Sequence, residues 1–453
     1  MTRGQYTLPG PKGVAHLRLL RTIFTDPQPV LTTMSAEFGP VSALGAGPAR
    51  IAIVGDPSMV RELLAMPTDH FRWGHKFNVL GFVVGPTSLI VSDGEPHRRR
   101  RAAVQPAFSR RRLNGWVPMI LERTDATIDE IVAAAHADAD ASDLTPPLRL
   151  LVMSIAAHAF FGAHFAERVD ELGRLFERPQ AYLESPAIRQ FPHPFPRTAR
   201  ARVRADRLAL DRLIDEEIAA RRRTPVDDPL DVLSSLVADG SLSDTEVRDQ
   251  VFTLIGAGHD TTAAALAWSV TRATLATGTW GRLRAEADDV LGSTETGHFD
   301  HTVLPRLELA TRVMKETLRL HPPGAFAPRE AAADINLGHH VIKKGTLILW
   351  SPYLLGRDAH TWPSPDDFDP DRFLDPTPAQ QLDMDRAWLP FGGGARMCIG
   401  FALAQMELTL IIARLAQRLD LDRVSRKVPR PVGMVVNRPS GPALYTVRPR
   451  IST

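Results

Sequence analysis

The chain has 453 residues, 44% of them hydrophobic and 23% charged, with a formal net charge of +2. That balance fits a soluble globular protein with room for a sizeable core, and near-neutrality excludes nucleic-acid recognition by the molecule as a whole. A single cysteine, Cys398, excludes an internal disulfide and any multi-cysteine metal site, and suits a reducing, cytoplasmic setting.

Taken in chain order, Met1–Gly13 carries no apolar segment of the kind a secretory signal needs. No run of about 18–20 apolar residues follows. The nearest stretch, Phe77–Val91, is broken by Asn78, Gly81, Gly85 and Pro86. Strand-forming pieces stand at Val41–Gly45 and Ile51–Val54. Between them, Gly45-Ala-Gly47 lacks the third glycine and the following helix of a dinucleotide loop. From Arg98 to Arg223 the periodicity is helical, interrupted by Pro186, Pro192, Pro194 and Pro196, which predict a loop.

Ser243, with Glu246 three residues on, predicts the N-cap of a long helix reaching Ala276. Gly256 and Gly258 allow two readings inside it. Either a continuous helix tolerates them where something large approaches, or the helix stops near Gly258 and Asp260 or Thr261 caps the next one. Further helices are predicted around Leu283–Leu291, Val303–Leu320 and Ala402–Leu419, with a strand at Thr346–Trp350 and an irregular meander at Trp362–Phe373. The fold class is mainly α with small β-sheets, and no linker divides the chain.

Cys398 stands in Phe391-Gly-Gly-Gly-Ala-Arg396-Met-Cys398-Ile-Gly400. A lone cysteine is ordinarily a buried, inert hydrophobe. Here successive glycines let the backbone approach a flat object, Arg396 offers a cation, and the helix after Gly400 favours a thiolate through its dipole. No sequence-local histidine accompanies it, so metal ligation suits this thiol better than nucleophilic catalysis. Glu316 and Arg319 are spaced to meet on one helix, which alone reads as a surface pair of small value. His97 and Arg101 share a helical face within the basic run Gly94–Arg101.

These residues resemble the cytochrome P-450 family, whose FxxGxRxCxG signature is matched by Phe391, Gly394, Arg396, Cys398 and Gly400. The resemblance runs from Leu8 to Arg438-Pro-Ser-Gly and implies one domain over residues 1–453, with no fused reductase or ferredoxin domain. Haem b (iron protoporphyrin IX) would lie between the long central helix and the helix after the cysteine loop. By the same resemblance Cys398 is the axial thiolate, Phe391 lies on the cofactor side, and His97, Arg101, Arg329 and Arg396 hold the propionates. Asp260 and Thr261 would organise water and deliver protons during dioxygen activation. Glu316, Arg319 and Arg372 would form a structural network on the thiolate side.

Substrate contacts implied in the same way are Phe77, Phe82, Leu254, Ala257, Gly324, Ala325, Phe326, Val435 and Val436, roofed by the loop near Pro186–Pro196. Their apolar character predicts a lipophilic substrate of fatty-acid, terpenoid or sterol-like type. The expected activity is that of a soluble, bacterial-type haem-thiolate monooxygenase without a membrane anchor. Its electrons would come from a ferredoxin- or flavodoxin-type donor with an NAD(P)H reductase, some of Arg98, Arg99 and Arg100 helping to dock it. The rival readings are a peroxide-driven peroxygenase or isomerase on the same haem, a non-enzymatic haem protein, and a metal-free helical protein.

Overall fold

The computed structural model describes residues 8–74, 78–137, 141–162, 165, 167–190, 195–224, 229–292 and 299–450, and helices dominate it. The first part interleaves α1 (Gly13–Thr22), α2 (Pro27–Phe38) and α3 (Pro57–Ala65) with β1 (Val41–Leu44), β2 (Ile51–Val54) and β3 (Phe71–Arg72). Then follow α4 (Asn78–Val84), α5 (Gly94–Val104), α6 (Arg110–Gly115), α7 (Val117–Ala137), β4 (Ser142–Asp143) and α8 (Thr145–Phe161). Next come α9 (Val169–Leu183), α10 (Ala187–Gln190), α11 (Ala199–Arg223), α12 (Val232–Asp239), α13 (Asp244–Leu275), α14 (Thr279–Leu291) and α15 (Glu308–Leu320).

The last third carries β5 (Ala327–Ala331), β6 (Ile335–Leu337), β7 (His340–Ile342), β8 (Leu347–Trp350), α16 (Pro352–Leu355) and α17 (Pro378–Ala387). It ends with α18 (Phe401–Arg418), β9 (Leu419–Arg423), β10 (Pro431–Val432), β11 (Arg438–Pro439) and β12 (Leu444–Pro449).

Local chemistry sets the boundaries of the helix that matters most. Ser243 Oγ accepts the Glu246 N–H at 3.3 Å, and the Glu246 carboxylate accepts the Ser243 N–H at 3.1 Å, a reciprocal capping box. From that start α13 runs unbroken for 32 residues, so the alternative in which it stops near Gly258 does not occur. Most of its residues are buried on every side, the pattern of a helix through the middle of a domain. The predicted helix from Val303 begins later, because Pro305 confines His301–Arg306 to a tight 3-10 turn and α15 starts at Glu308.

Helices α13, α14, α15 and α18 pack on one another around Leu266, Leu408 and Ile411, all essentially inaccessible. Each such side chain contributes about 1.5–3 kcal/mol on burial. The five-stranded sheet has the order β1-β2-β8-β5-β3, in which only β2 and β8 run parallel, with Ile53 opposite Leu349. Val41, Ala52, Val54, Ile348 and Trp350 make a separate apolar cluster there. A second sheet, β4-β12-β9, and the hairpins β6–β7 and β10–β11 complete the strands among the described residues.

Candidate active site

The loop before α18 is held in a narrow geometry. Gly392 and Gly394 have φ of 72° and 65°, values that side chains disfavour. A Cβ on Gly394 would lie 2.3 Å from the carbonyl oxygen of Leu64 in α3. The glycines therefore serve the turn and its packing on α3, a reason beyond the expected approach to a flat partner. The Cys398 N–H donates to the Phe391 carbonyl at 2.9 Å and closes the loop. The Phe391 ring lies edge-on to Trp388 and Phe401. Trp388 in turn donates its indole N–H to the Lys315 carbonyl of α15 at 2.9 Å.

Cys398 has an exposed side chain that is nonetheless desolvated by surrounding protein, the combination expected of a group facing an internal recess. Burial pushes its thiol up, against the opposing pull of the Gly400 N–H and Arg101. Desolvation is the largest of these influences on the thiol. Deprotonation at this position calls for a cation on the sulfur.

Four basic side chains converge on the same region. His97 is buried, its Nε2 has no hydrogen-bond partner among the described residues, and burial together with Arg396, Arg101 and Arg98 lowers it to about 4. Arg101 is lowered by burial and raised by the Cys398 sulfur. Arg329 is buried, stacks over Phe71 and Trp73 at 4.8 and 5.3 Å, and leaves Nε unpartnered. Arg396 lies 3.9 Å over the Trp73 ring and donates to the Ser92 carbonyl at 2.5 Å and to Asp93 Oδ1 at 3.2 Å, again with Nε unpartnered among the described residues. Burial pushes both guanidinium groups down to about 10, with Arg396 adding to the effect on Arg329. Three guanidinium groups gather here, Asp93 pairs with one of them, Arg396, and the donor set fits a ligand bearing carboxylates.

The neighbouring arginines do something different from what their sequence suggests. Arg99 and Arg100 both grip Glu246, the capping residue of α13, and Arg99 also donates to the Ser241 carbonyl at 2.8 Å. Arg98 pairs with Glu95 on its own helix. Arg99 and Arg100 are thus engaged with an intramolecular carboxylate, and Arg98 is the most exposed of the three. Burial would raise Glu246, yet hydrogen bonds from Arg99, Ser243 and Arg100 hold it at about 2.

At mid-helix, α13 brings Asp260 into a closed polar ring. Asp260 Oδ1 accepts Arg149 Nη1 of α8 at 2.7 Å, and Arg149 Nη2 reaches Gln180 Oε1 of α9 at 3.3 Å. Gln180 Nε2 meets His259 Nδ1 at 3.2 Å, and His259 Nε2 meets the Arg149 carbonyl at 3.1 Å. Burial and Arg149 lower His259 to about 4 in spite of Asp260. Thr261 Oγ1 donates to the Ala257 carbonyl at 2.6 Å, which leaves its lone pairs free to accept. Ala257 is exposed although its helix is otherwise mostly buried, and Gly256 lies against Phe176 of α9. Sequence reasoning missed Arg149, Gln180 and His259; the available signal was one arginine inside the apolar run of α8.

Glu316, Arg319 and Arg372 do meet. Glu316 Oε1 accepts from Arg372 Nε at 3.2 Å and from the Asp369 N–H at 2.9 Å, besides its bonds to Arg319. Of the substrate candidates, Phe77 lies outside the described residues. Phe82 is half-buried, 5.8 Å from the Tyr182 ring and 3.7 Å beneath the Arg200 guanidinium. Leu254, Ala325 and Val436 are buried, Gly324 is half-buried and Val435 is exposed. Phe326 packs on the apolar cluster of Leu349 and Leu354, an ordinary core role.

The sequence model of the family described as Cytochrome P450 matches residues 9–446. A Mycobacterium tuberculosis protein called cytochrome P450 139 is 34% identical over 372 residues, 80% of this chain and 84% of its own. The cyclooctat-9-en-7-ol 5-monooxygenase of Streptomyces melanosporofaciens is 31% identical over 429 residues, 91% of this chain and 88% of its own. The solved structure of retinoic acid-bound cyanobacterial CYP120A1 is similar with a TM-score of 0.82 and 25% identity, covering 98% of this chain and all of that one. Among the described residues no helix is long and apolar enough to cross a membrane.

Proposed function

The chain belongs to the cytochrome P450 family and is a monooxygenase of that family; we propose that it inserts one atom of dioxygen into a lipophilic substrate, holding haem b through Cys398. One observation carries the reading of the site. His97, Arg329 and Arg396 each keep a buried nitrogen without a partner among the described residues, near a cysteine that is exposed yet surrounded by protein. Buried polar groups left in that condition are costly unless a ligand satisfies them. The two propionates of haem are carboxylates of the required kind.

When bound, haem supplies the redox chemistry that activates dioxygen. The chain's own residues do the rest. Cys398 would be the thiolate ligand, and His97, Arg101, Arg329 and Arg396 would orient the group through its carboxylates. Phe391 fixes the loop through the carbonyl that receives the Cys398 N–H. Asp260, aimed by Arg149, and the Thr261 hydroxyl would order water and pass protons toward the reacting oxygen. Glu316, Arg319 and Arg372 keep the support beneath the loop rigid.

The surfaces offered to a substrate at Phe82, Leu254, Ala257, Ala325 and Val436 are apolar, which favours a fatty-acid, terpenoid or sterol-like ligand. A relative named for an unsaturated cyclic alcohol and a structural neighbour holding retinoic acid support that class. Electrons would come from a ferredoxin- or flavodoxin-type donor and its NAD(P)H reductase. The test is the reduced, carbon monoxide-bound spectrum of the purified protein. A thiolate-type red-shifted Soret band that disappears in Cys398→Ser is expected, and its absence from the unsubstituted protein would overturn the reading.

A further inference from the structure

The carboxylate of Glu184 is held by the tip of a hairpin 250 residues away. Glu184 closes the C-terminal end of α9. Its Oε2 accepts the Met434 N–H at 2.6 Å, and its Oε1 accepts the Val436 and Val435 N–H groups at 2.9 and 3.2 Å. Three successive backbone donors converge on one acid because Gly433, at φ 110°, folds the turn back on itself. A Cβ there would lie 2.0 Å from the Val436 carbonyl oxygen. Arg438 adds a more distant cation at 3.6 Å.

Both sides of this contact are themselves anchored. Gln190 Nε2, with two hydrogens to donate, lies 2.8–3.0 Å from the Tyr182, Leu183 and Ser185 carbonyls, which fixes the end of α9 behind Glu184. Beyond the tip, the Asn437 N–H and Nδ2 donate to the Pro323 and Pro322 carbonyls at 2.8 and 3.2 Å, next to Gly324. The hairpin itself pairs only Pro431–Val432 with Arg438–Pro439, too little to fix its own tip. Charge-assisted bonds to Glu184 supply what the ladder lacks.

We propose that Glu184 is a positioning residue: it clamps the Met434–Val436 turn to the end of α9 and thereby sets the size of ligand the site retains. This rests on the reading that Val435 and Val436 border the substrate space of a haem protein. Breaking the clamp frees the turn without touching Cys398 or the arginine cluster, so large ligands should feel the change and small ones should not.

The experiment is stopped-flow release of imidazole, phenylimidazole and clotrimazole from haem-loaded protein, followed by the Soret band. Glu184→Gln should keep haem content and the thiolate-type carbon monoxide spectrum. It should release clotrimazole roughly tenfold faster, the scale of one charge-assisted hydrogen bond, with imidazole release unchanged. If the amide variant loads no haem, Glu184→Asp carries the comparison, since it keeps the charge and shortens the reach. Release that is unaltered, or altered equally for all three azoles, would overturn the role of Glu184. Failure of the unsubstituted protein to give any azole shift would instead overturn the haem reading beneath it, and the proposal with it.

Discussion

Arg319 Nε and Nη2 each lie 2.7 Å from one oxygen of Glu316, and neither side chain has any exposed surface. The remaining N–H groups of Arg319 reach the carbonyls of Gly356, Pro365 and Asp367, so all five of its donors are used. Arg319 thus ties the irregular meander to α15 at Pro365 and Asp367, and Arg372 holds it at Pro363 and Ser364.

Removing one partner of such a pair leaves the other charge buried and uncompensated, at a cost of about 3–5 kcal/mol. Glu316→Ala should therefore lower the thermal midpoint and yield protein without haem, because α15 also supports the cysteine loop through Trp388. Calorimetry and haem content of purified protein check this. A stable, haem-loaded Glu316→Ala would contradict a structural role for the pair.

Asp260 and Arg149 should behave as a unit in turnover. Asp260→Asn removes the acid, and Arg149→Ala removes the group that aims it, so each should slow turnover while the carbon monoxide spectrum stays intact. General acid–base groups contribute about 10²–10⁴-fold, and the aspartate variant should fall in that range. Thr261→Ala should lower the product formed per reducing equivalent several-fold. Unchanged coupling in that variant would remove the Thr261 hydroxyl from the proton path.

What could be read from the sequence was whatever is encoded locally. Ser243 and Glu246 are three residues apart, Glu316 and Arg319 likewise, and the cysteine loop is one short segment. In each case the spacing that makes the contact is visible in the chain. The partners chosen by tertiary packing were not. Arg149 meets Asp260 across 111 residues and Arg100 meets Glu246 across 146, so no periodicity reports either pair. A basic run reads as a solvated face until the distant carboxylate that uses it is placed beside it. The late start of α15 has a local cause, Pro305, although the helical hydrophobic pattern continues through it.

Glu246 gives the acid limb of stability a specific source. Its folded value of about 2 lies below the ordinary 4.5, so the carboxylate contributes stability above 4.5 that is lost as the pH falls toward 2. Glu246→Gln should cost about 1.5–3 kcal/mol near neutrality, the scale of hydrogen bonds to a charged group, and little at the acid end. Urea unfolding of both proteins across that range measures it. An equal deficit at every pH would show that the ionised form of Glu246 is not what Arg99 and Arg100 stabilise.

Glu407 has the opposite sign. It is buried inside α18, its Oε1 has no hydrogen-bond partner among the described residues, and burial pushes it up to about 8 from an ordinary 4.5. The folded state then keeps a proton that the unfolded state gives up between those two values. Stability from this group is full below 4.5 and is lost as the pH rises through 8. The amide in Glu407→Gln resembles the protonated acid in shape and cannot ionise. Its stability should therefore stay flat over the interval in which the unsubstituted protein weakens, and the variant should be the more stable protein at the alkaline end. Parallel unfolding curves for the two proteins across that interval would mean that Glu407 ionises normally and that water reaches its carboxylate.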